Sequence, residues 1–212
     1  MITETPSIYN VPGVYNQGAG GEFVEFLGNY YKVITINGKK WFSTNLKYTR
    51  NGWPASGQSS SNPIVNQLAN RNYWVMTKDC YFVGNYFNLP ALVQLINNEL
   101  LDSEWHIPSV KEWTDLLDSV PRKELRRAEW WSRPGTNELE FNLCPAGFQD
   151  GNSLNGTDSN SYLWTSDNDG TNYKYVFCGL GSGSTEYGDY NFNDAVLGQH
   201  DKGYNIRLCK NV

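Results

Sequence analysis

The spacing of hydrophobic residues predicts helices in the middle of the chain. Between Leu89 and Leu101, apolar residues recur every three or four positions, and Asn88 is placed to cap the helix. The next helix begins at Ser109, which forms with Glu112 the S-x-x-E spacing of a capping box and is followed by apolar residues at i, i+3, i+4 and i+7. A third helical segment, Arg122–Trp130, ends at a proline–glycine turn.

Alternating and β-branched segments on both sides of these helices predict short strands. Glu22–Phe26 alternates, and Val33–Ile36 and Lys39–Phe42 flank an Asn-Gly pair that is typical of a type I′ hairpin. Residues 51–62 are interpreted as a polar loop, and they are followed by one short helix, Pro63–Asn70, and two strands, Tyr73–Met76 and Cys80–Val83. After Leu139, the apolar bursts LEFNL, YLWTS, YKYVFCGL and YNIRLCK are divided by long polar stretches, which indicates strands joined by ordered loops.

The composition excludes several classes of protein. The 212 residues are 39% hydrophobic, 15% aromatic and 18% charged, which favours strands and ordered loops over helical bundles. A net charge of −5 argues against nucleic-acid binding, and the longest apolar runs are too short to insert into a membrane. The N-terminal MITETPSIYNVPG lacks the pattern of a signal peptide. The four cysteines form no CxxC, so buried free thiols are expected, with one disulfide left open.

Residues 1–21 are interpreted as a separate segment. Prolines and glycines interrupt any regular structure there, yet the segment also carries Ile8, Tyr9, Val11, Val14 and Tyr15. Either it is a disordered leader, or it orders against a partner by strand addition or self-association. We expect an attachment and oligomerisation segment at 1–21, followed by one domain at 22–212.

Five stretches, taken in order, resemble the motifs of the Fibrobacter succinogenes major paralogous domain: WFSTNLKYT (41–49), EWHIPSVKEWTDLL (104–117), FNLCPAGFQD (141–150), YLWTS (162–166) and YNIRLCK (204–210). The resemblance covers about residues 39–210 and implies an α+β, C-type-lectin-like fold with short antiparallel strands, two or three helices and long ordered loops. The family's motif tryptophans, matched here by Trp41, Trp105, Trp113 and Trp164, would be scaffold together with Arg207. Leu101 and Asp102 replace the family's Cys-Pro, so the expected disulfide partner of Cys209 is missing.

The sequence offers few candidates for catalytic residues. His106 is interpreted as a structural residue that fixes the strand-to-helix turn, and His200 as a loop residue. With only these two histidines, a metal triad or nucleophile relay would need mostly other residues. The pairs Asp167/Asp169 and Asp189/Asp194 could serve a glycoside hydrolase, but solvated loop acids are much commoner. The prediction is that the protein is not an enzyme.

The C-terminal loops are the strongest binding candidates. Residues 167–174 and 184–203 concentrate tyrosine, asparagine, aspartate, serine and glycine, a mixture typical of adaptable binding surfaces. The predicted ligand-binding residues are Asp167, Asn168, Asp169, Asn172, Tyr173, Tyr187, Asp189, Tyr190, Asn191, Asn193 and Asp194. Six of them are expected to be largely exposed and close together: Tyr173, Tyr187, Tyr190, Asn191, Asn193 and Asp194. Phe192-Asn193-Asp194 is similar to a lectin calcium motif, but it offers too few oxygen ligands, so no metal or cofactor is predicted.

The leading hypothesis is therefore a bacteriophage virion protein, a fibre or capsid decoration. Residues 1–21 would attach to a capsid or tail protein and form a homotrimer, while the lectin-like head would bind a host-surface glycan or protein. The location would be the virion, after synthesis in the host cytoplasm. One alternative is a bacterial cell-surface or retroelement-diversified ligand-binding protein, and a second is a carbohydrate-active enzyme.

Overall fold

The structure is a computed structural model that describes residues 21–51, 53, 84–127, 131, 135–157, 159–170, 173–179 and 202–212, together with the backbone of 65–66. Its strands, in chain order, are β1 (Glu22–Phe26), β2 (Asn29–Ile36), β3 (Lys39–Phe42), β4 (Val65–Asn66), β5 (Tyr86–Phe87), β6 (Phe148–Asp150), β7 (Ser153–Asn155), β8 (Asn160–Asn168), β9 (Tyr173–Gly179) and β10 (Cys209–Asn211). Its α-helices are α1 (Leu89–Leu95), α2 (Val110–Ser119) and α3 (Arg122–Leu125).

The largest sheet joins the two ends of the domain. Its order is β1-β2-β3-β10, and all neighbours are antiparallel. The predicted hairpin turn between β2 and β3 is confirmed, because Asn37 and Gly38 both have positive φ, at 50° and 73°. The β1–β2 turn uses the same conformation at Leu27 and Gly28, which the sequence did not signal. The first three strands therefore form from local hairpins, whereas β10 joins them from the far end of the chain.

The two predicted helix caps, Asn88 and Ser109, are confirmed. The Asn88 side chain accepts a hydrogen bond from the backbone N–H of Ala91 and caps α1, and the helix continues as a π-helical turn at Ile96–Leu100. Ser109 and Glu112 form the complete capping box of α2. The apolar stripe of α2 is buried as predicted, through Trp113, Leu116 and Leu117.

Four predicted elements need correction. The third helix ends at Leu125, because Arg126 is extended and forms a parallel bridge with Leu143. Within the predicted helix Pro63–Asn70, Val65 and Asn66 instead form β4, which pairs with β5. LEFNL is irregular rather than a strand, since Glu140 and Asn142 take positive φ.

The fourth correction concerns the predicted loop at residues 167–174. Asp167 and Asn168 belong to β8 and Tyr173 and Lys174 to β9, so both ends of the predicted loop are paired strand residues. The predicted strands Tyr73–Met76 and Cys80–Val83 lie outside the described residues, as does the leader apart from Gly21.

Two hydrophobic clusters meet along the C-terminal segment. The first packs α1 and the inner side of the main sheet against Tyr204, Ile206 and Leu208. The second packs α2 against β3 and the β8–β9 hairpin, and includes Cys209. The residues predicted as scaffold are all buried: Trp41, Trp105, Trp113, Trp164 and Arg207.

The described residues thus form a mixed α+β structure with antiparallel sheets, which confirms the predicted class at that level. Cys144, Cys178 and Cys209 are buried free thiols, as expected. Within the described ranges, every helix is too short or too polar to cross a bilayer.

Candidate functional site

The β8–β9 hairpin carries those predicted binding residues that the structure describes. Asn168 pairs with Tyr173 at the end of the hairpin, beyond a β-bulge that separates this pair from Trp164. Asn168 accepts a hydrogen bond from the N–H of Gly170 at 3.0 Å, and Asn168 and Asp169 are exposed at the turn. The hairpin therefore places these two polar side chains at its tip.

Asp167 has a structural contact that the sequence did not signal. Its Oδ2 accepts a hydrogen bond of 2.7 Å from the backbone N–H of Val110, the first residue of α2. A carboxylate at this position satisfies an N–H that has no partner within the helix and also interacts favourably with the helix dipole. The predicted binding hairpin is therefore fixed to the start of α2.

Tyr173 is half-buried rather than largely exposed, because it packs against the first hydrophobic cluster. The remaining predicted binding residues lie outside the described residues and stay predictions: Asn172, Tyr187, Asp189, Tyr190, Asn191, Asn193 and Asp194. Phe192 and His200 also lie outside the described part of the chain.

An aromatic group on one side of the β8–β9 hairpin was not predicted as a site. Tyr162 lies against Phe177 on the neighbouring strand, with ring centroids 4.9 Å apart. Tyr204 stacks on Tyr175 at 4.6 Å and on Tyr162 at 5.9 Å. Phe148 meets Tyr162 edge-on at 5.0 Å. We call these five residues the aromatic face.

Four of the five rings are partly exposed. Tyr204 is buried at the base, while Phe148, Tyr162, Tyr175 and Phe177 are half-buried. Burial raises the pKa of the Tyr162 hydroxyl, and the neighbouring Tyr175 raises it further. Burial likewise raises the pKa of Tyr175, so both tyrosines are neutral phenols that can donate and accept hydrogen bonds.

Charged groups border the aromatic face. The Lys202 Nζ lies 5.0 Å from the centre of the Phe148 ring and 3.8 Å from a carboxylate oxygen of Asp150. Partly exposed aromatic rings with a charged border are characteristic of surfaces that bind a ligand or partner.

A second group of polar side chains surrounds His106. The Nε2 of His106 lies 2.9 Å from Oε1 of Glu112 and 3.3 Å from Sγ of Cys209. Lys39 Nζ lies 2.8 Å from the same Glu112 oxygen. The other carboxylate oxygen of Glu112 accepts hydrogen bonds from the N–H and Oγ of Ser109. His106 is thus a hydrogen-bonded residue at the entrance to α2, as predicted.

These contacts set the charges of the group. Burial alone would raise the pKa of Glu112, but hydrogen bonds from His106, Lys39 and Ser109 hold it well below its usual range. Burial raises the pKa of the Cys209 thiol, and the nearby Glu112 carboxylate raises it further. At neutral pH, Glu112 is therefore ionised and Cys209 is a thiol.

The His106 group does not have the geometry of a nucleophile relay. A relay uses one imidazole nitrogen for the nucleophile and the other for the carboxylate. Here Cys209 and Glu112 both approach Nε2, so they compete for one nitrogen. A reactive cysteine also has a lowered pKa, whereas that of Cys209 is raised.

No protein-family model, curated protein or solved structure matches this chain. The candidate sites are therefore defined by their own geometry. Cys209 is 103 residues from His106, and Tyr204 lies beyond an undescribed stretch from the β8–β9 hairpin, so local motifs did not place these residues together. The alternation of aromatics in Tyr173-Lys174-Tyr175-Val176-Phe177 was the one local signal of the aromatic face.

Proposed function

We propose that this protein is a non-enzymatic bacteriophage virion protein, a fibre or capsid decoration, whose C-type-lectin-like head binds a host-surface glycan. The aromatic face is the observation that carries the binding part of this proposal. The virion location, the trimer and the attachment through residues 1–21 rest on the character of the leader and on the family resemblance.

The aromatic face suits a sugar for three reasons. Its half-buried rings offer flat apolar surfaces on which the apolar side of a sugar ring can stack. The Tyr162 and Tyr175 hydroxyls can both donate hydrogen bonds to sugar hydroxyls and accept hydrogen bonds from them. The rings are also fixed by a hairpin that packs on its other side against α2, so binding requires little ordering of side chains.

The neighbouring tip of the hairpin supplies polar groups. Asn168 is the last residue of β8, Asp169 follows it, and both side chains are exposed. Amide and carboxylate groups of this kind distinguish hydroxyl positions, while the aromatic rings provide contact area. The proposed site therefore runs from the aromatic face to the hairpin tip.

Binding of the purified chain to a glycan array and to host cells tests this proposal. Phe177→Ala removes one ring of the aromatic face, and we expect binding to weaken at least about tenfold, as when a binding hot spot is lost. Tyr162→Phe keeps the ring and removes only the hydroxyl, so it should change the preference among glycans more than the total binding.

Tyr30→Ala is the matched control. Tyr30 is a half-buried tyrosine on β2, in a different sheet, where its hydroxyl donates to Glu25. This variant should bind as the wild type does. Unchanged binding by a folded Phe177→Ala protein would exclude the aromatic face as the glycan site.

A further inference from the structure

Three potential metal ligands converge beside α2, two from neighbouring positions in the sequence and one from a distant part of the chain. His106 lies before the helix, Glu112 in its first turn, and Cys209 at the start of β10. His106 Nε2 is 2.9 Å from Glu112 Oε1 and 3.3 Å from Cys209 Sγ, and the sulfur is 3.9 Å from that oxygen. The three atoms thus surround one point.

The backbone holds two of these ligands together. The N–H of His106 donates to the carbonyl of Cys209 at 2.9 Å, and the N–H of Cys209 donates to the carbonyl of His106 at 3.0 Å. This pair is an antiparallel bridge, so the two side chains stay adjacent whenever β10 is in place. The ligand positions are therefore set by the fold rather than by mobile side chains.

The third ligand is held by the capping box. Glu112 Oε2 accepts hydrogen bonds of 2.7 and 3.0 Å from the backbone N–H and the hydroxyl of Ser109. These bonds fix the carboxylate while Oε1 remains directed at His106 and Cys209. Such outer contacts orient ligands in metal sites and tune their affinity.

The separations match those expected around Zn²⁺. Bond lengths of about 2.0–2.1 Å to nitrogen and oxygen and about 2.3 Å to sulfur, at tetrahedral angles, place ligand atoms roughly 3.3–3.6 Å apart. The observed separations of 2.9, 3.3 and 3.9 Å differ from these values by only a few tenths of an ångström. A thiolate, an imidazole and a carboxylate are also a donor set that zinc accepts.

We propose that His106, Glu112 and Cys209 form a zinc site that ties the C-terminal strand to the start of α2, with water as the fourth ligand. This site is separate from the aromatic face and does not depend on the proposed glycan binding. The role is structural, because the ion would link two segments that the chain brings together only on folding.

Lys39 would compete with a metal ion for the carboxylate of Glu112. Its Nζ lies 2.8 Å from Glu112 Oε1 and 2.5 Å from Asn211 Oδ1. Without metal, this ammonium neutralises the carboxylate. When Zn²⁺ binds, Lys39 loses its contact with Glu112 and keeps the one with Asn211, and the Cys209 thiol releases its proton to solvent. Replacing Lys39 by methionine should therefore increase the metal affinity.

A Co²⁺ titration of the untagged, reduced chain tests the site, because cobalt replaces zinc and shows a thiolate charge-transfer absorption. We expect one cobalt per chain with this absorption, its loss in Cys209→Ser, and at least about fivefold tighter binding in Lys39→Met. Cys144→Ala is the control, since Cys144 is a buried thiol in a different cluster and its variant should keep the absorption.

Zinc should also raise the melting temperature of the wild type by several degrees and leave that of Cys209→Ser unchanged. If Cys209→Ser does not fold, His106→Gln replaces it, because the His106 side chain is 39% exposed and tolerates change. A wild type without the thiolate absorption at millimolar cobalt would overturn the proposal. Absorption that persists in the Cys209→Ser or His106→Gln protein would also overturn it.

Discussion

Arg207 shows how a single residue organises this molecule. It is fully buried, and its Nε and Nη2 donate to Asn45 Oδ1 at 2.9 and 2.7 Å. Its Nη1 donates to the carbonyls of Phe42 and Phe141 at 3.0 and 2.6 Å. Burial lowers its pKa to about 10, so it remains charged at neutral pH. The motif predicted a scaffold role, but the acceptors were not predictable because Asn45 lies 162 residues away.

Gly147 occupies a position where the backbone leaves no room for a side chain. It has a φ of +66°, and an added Cβ would collide with the backbone oxygen of Asn155 and lie 2.9 Å from the N–H nitrogen of Thr157. Gly147→Ala therefore combines a left-handed conformation with a steric clash. We expect a loss of unfolding free energy in urea of at least about 2 kcal/mol beyond that of the control.

Gly28→Ala is that control. Gly28 has a similar φ of +73°, but an added Cβ would meet nothing within 4 Å. Its cost should be only about 1–2 kcal/mol, the penalty of the left-handed conformation itself. Equal losses in the two variants would mean that the β6–β7 hairpin shifts to accommodate the extra methyl group.

At the scale of secondary structure, the turn and cap motifs formed by neighbouring residues predicted the structure correctly. The Asn37-Gly38 turn, the Asn88 cap and the Ser109 capping box depend on neighbouring residues, and all three are confirmed. The third helix was predicted too long because its end is set by a bridge between Arg126 and Leu143, which are not neighbours in sequence. Tertiary contacts of this kind override local propensity and cannot be inferred from periodicity.

The capping box of α2 gives a prediction at this scale. Ser109→Ala removes the Oγ that accepts from the N–H of Glu112 at 3.1 Å, so the unfolding free energy should fall by about 0.5–2 kcal/mol. Thermal unfolding measures the change. Thr114→Ala is the control on the same helix, because Thr114 is exposed and alanine favours the helix interior.

Measuring glycan binding by the Ser109→Ala protein distinguishes a structural role of this cap from a direct role in glycan recognition. Ser109 lies in the capping box rather than in the aromatic face, so a folded Ser109→Ala protein should bind as the wild type does. A binding defect without a loss of stability would place the start of α2 in the binding site, next to Asp167.

At the scale of the whole molecule, residues 202–212 connect several distant parts of the described structure. Within residues 202–212, Gly203 pairs with Gln149, Tyr204 with Phe87, Asn205 with Leu163 and Cys209 with both Trp41 and His106. These are pairings of large sequence separation, so the sequence could predict the class but not the arrangement. Both candidate sites depend on this segment, through Tyr204 and Cys209, which is why neither was predicted as a site.

The leader gives the last prediction. Residues 1–21 directly precede β1, which is an edge strand of the main sheet, so an attached or trimerised leader would leave the contacts of the head intact. Deleting residues 1–21 should therefore yield a folded monomer with a melting temperature within a few degrees of the full chain. Light scattering should give the mass of one truncated chain, whereas the full chain, of 24.1 kDa, should give about three times its own mass. Replacing only Ile8, Tyr9, Val11, Val14 and Tyr15 by serine should have the same effect, since these apolar side chains would form the contacts. A trimer that survives both changes, with unchanged incorporation into particles, would remove the leader from assembly.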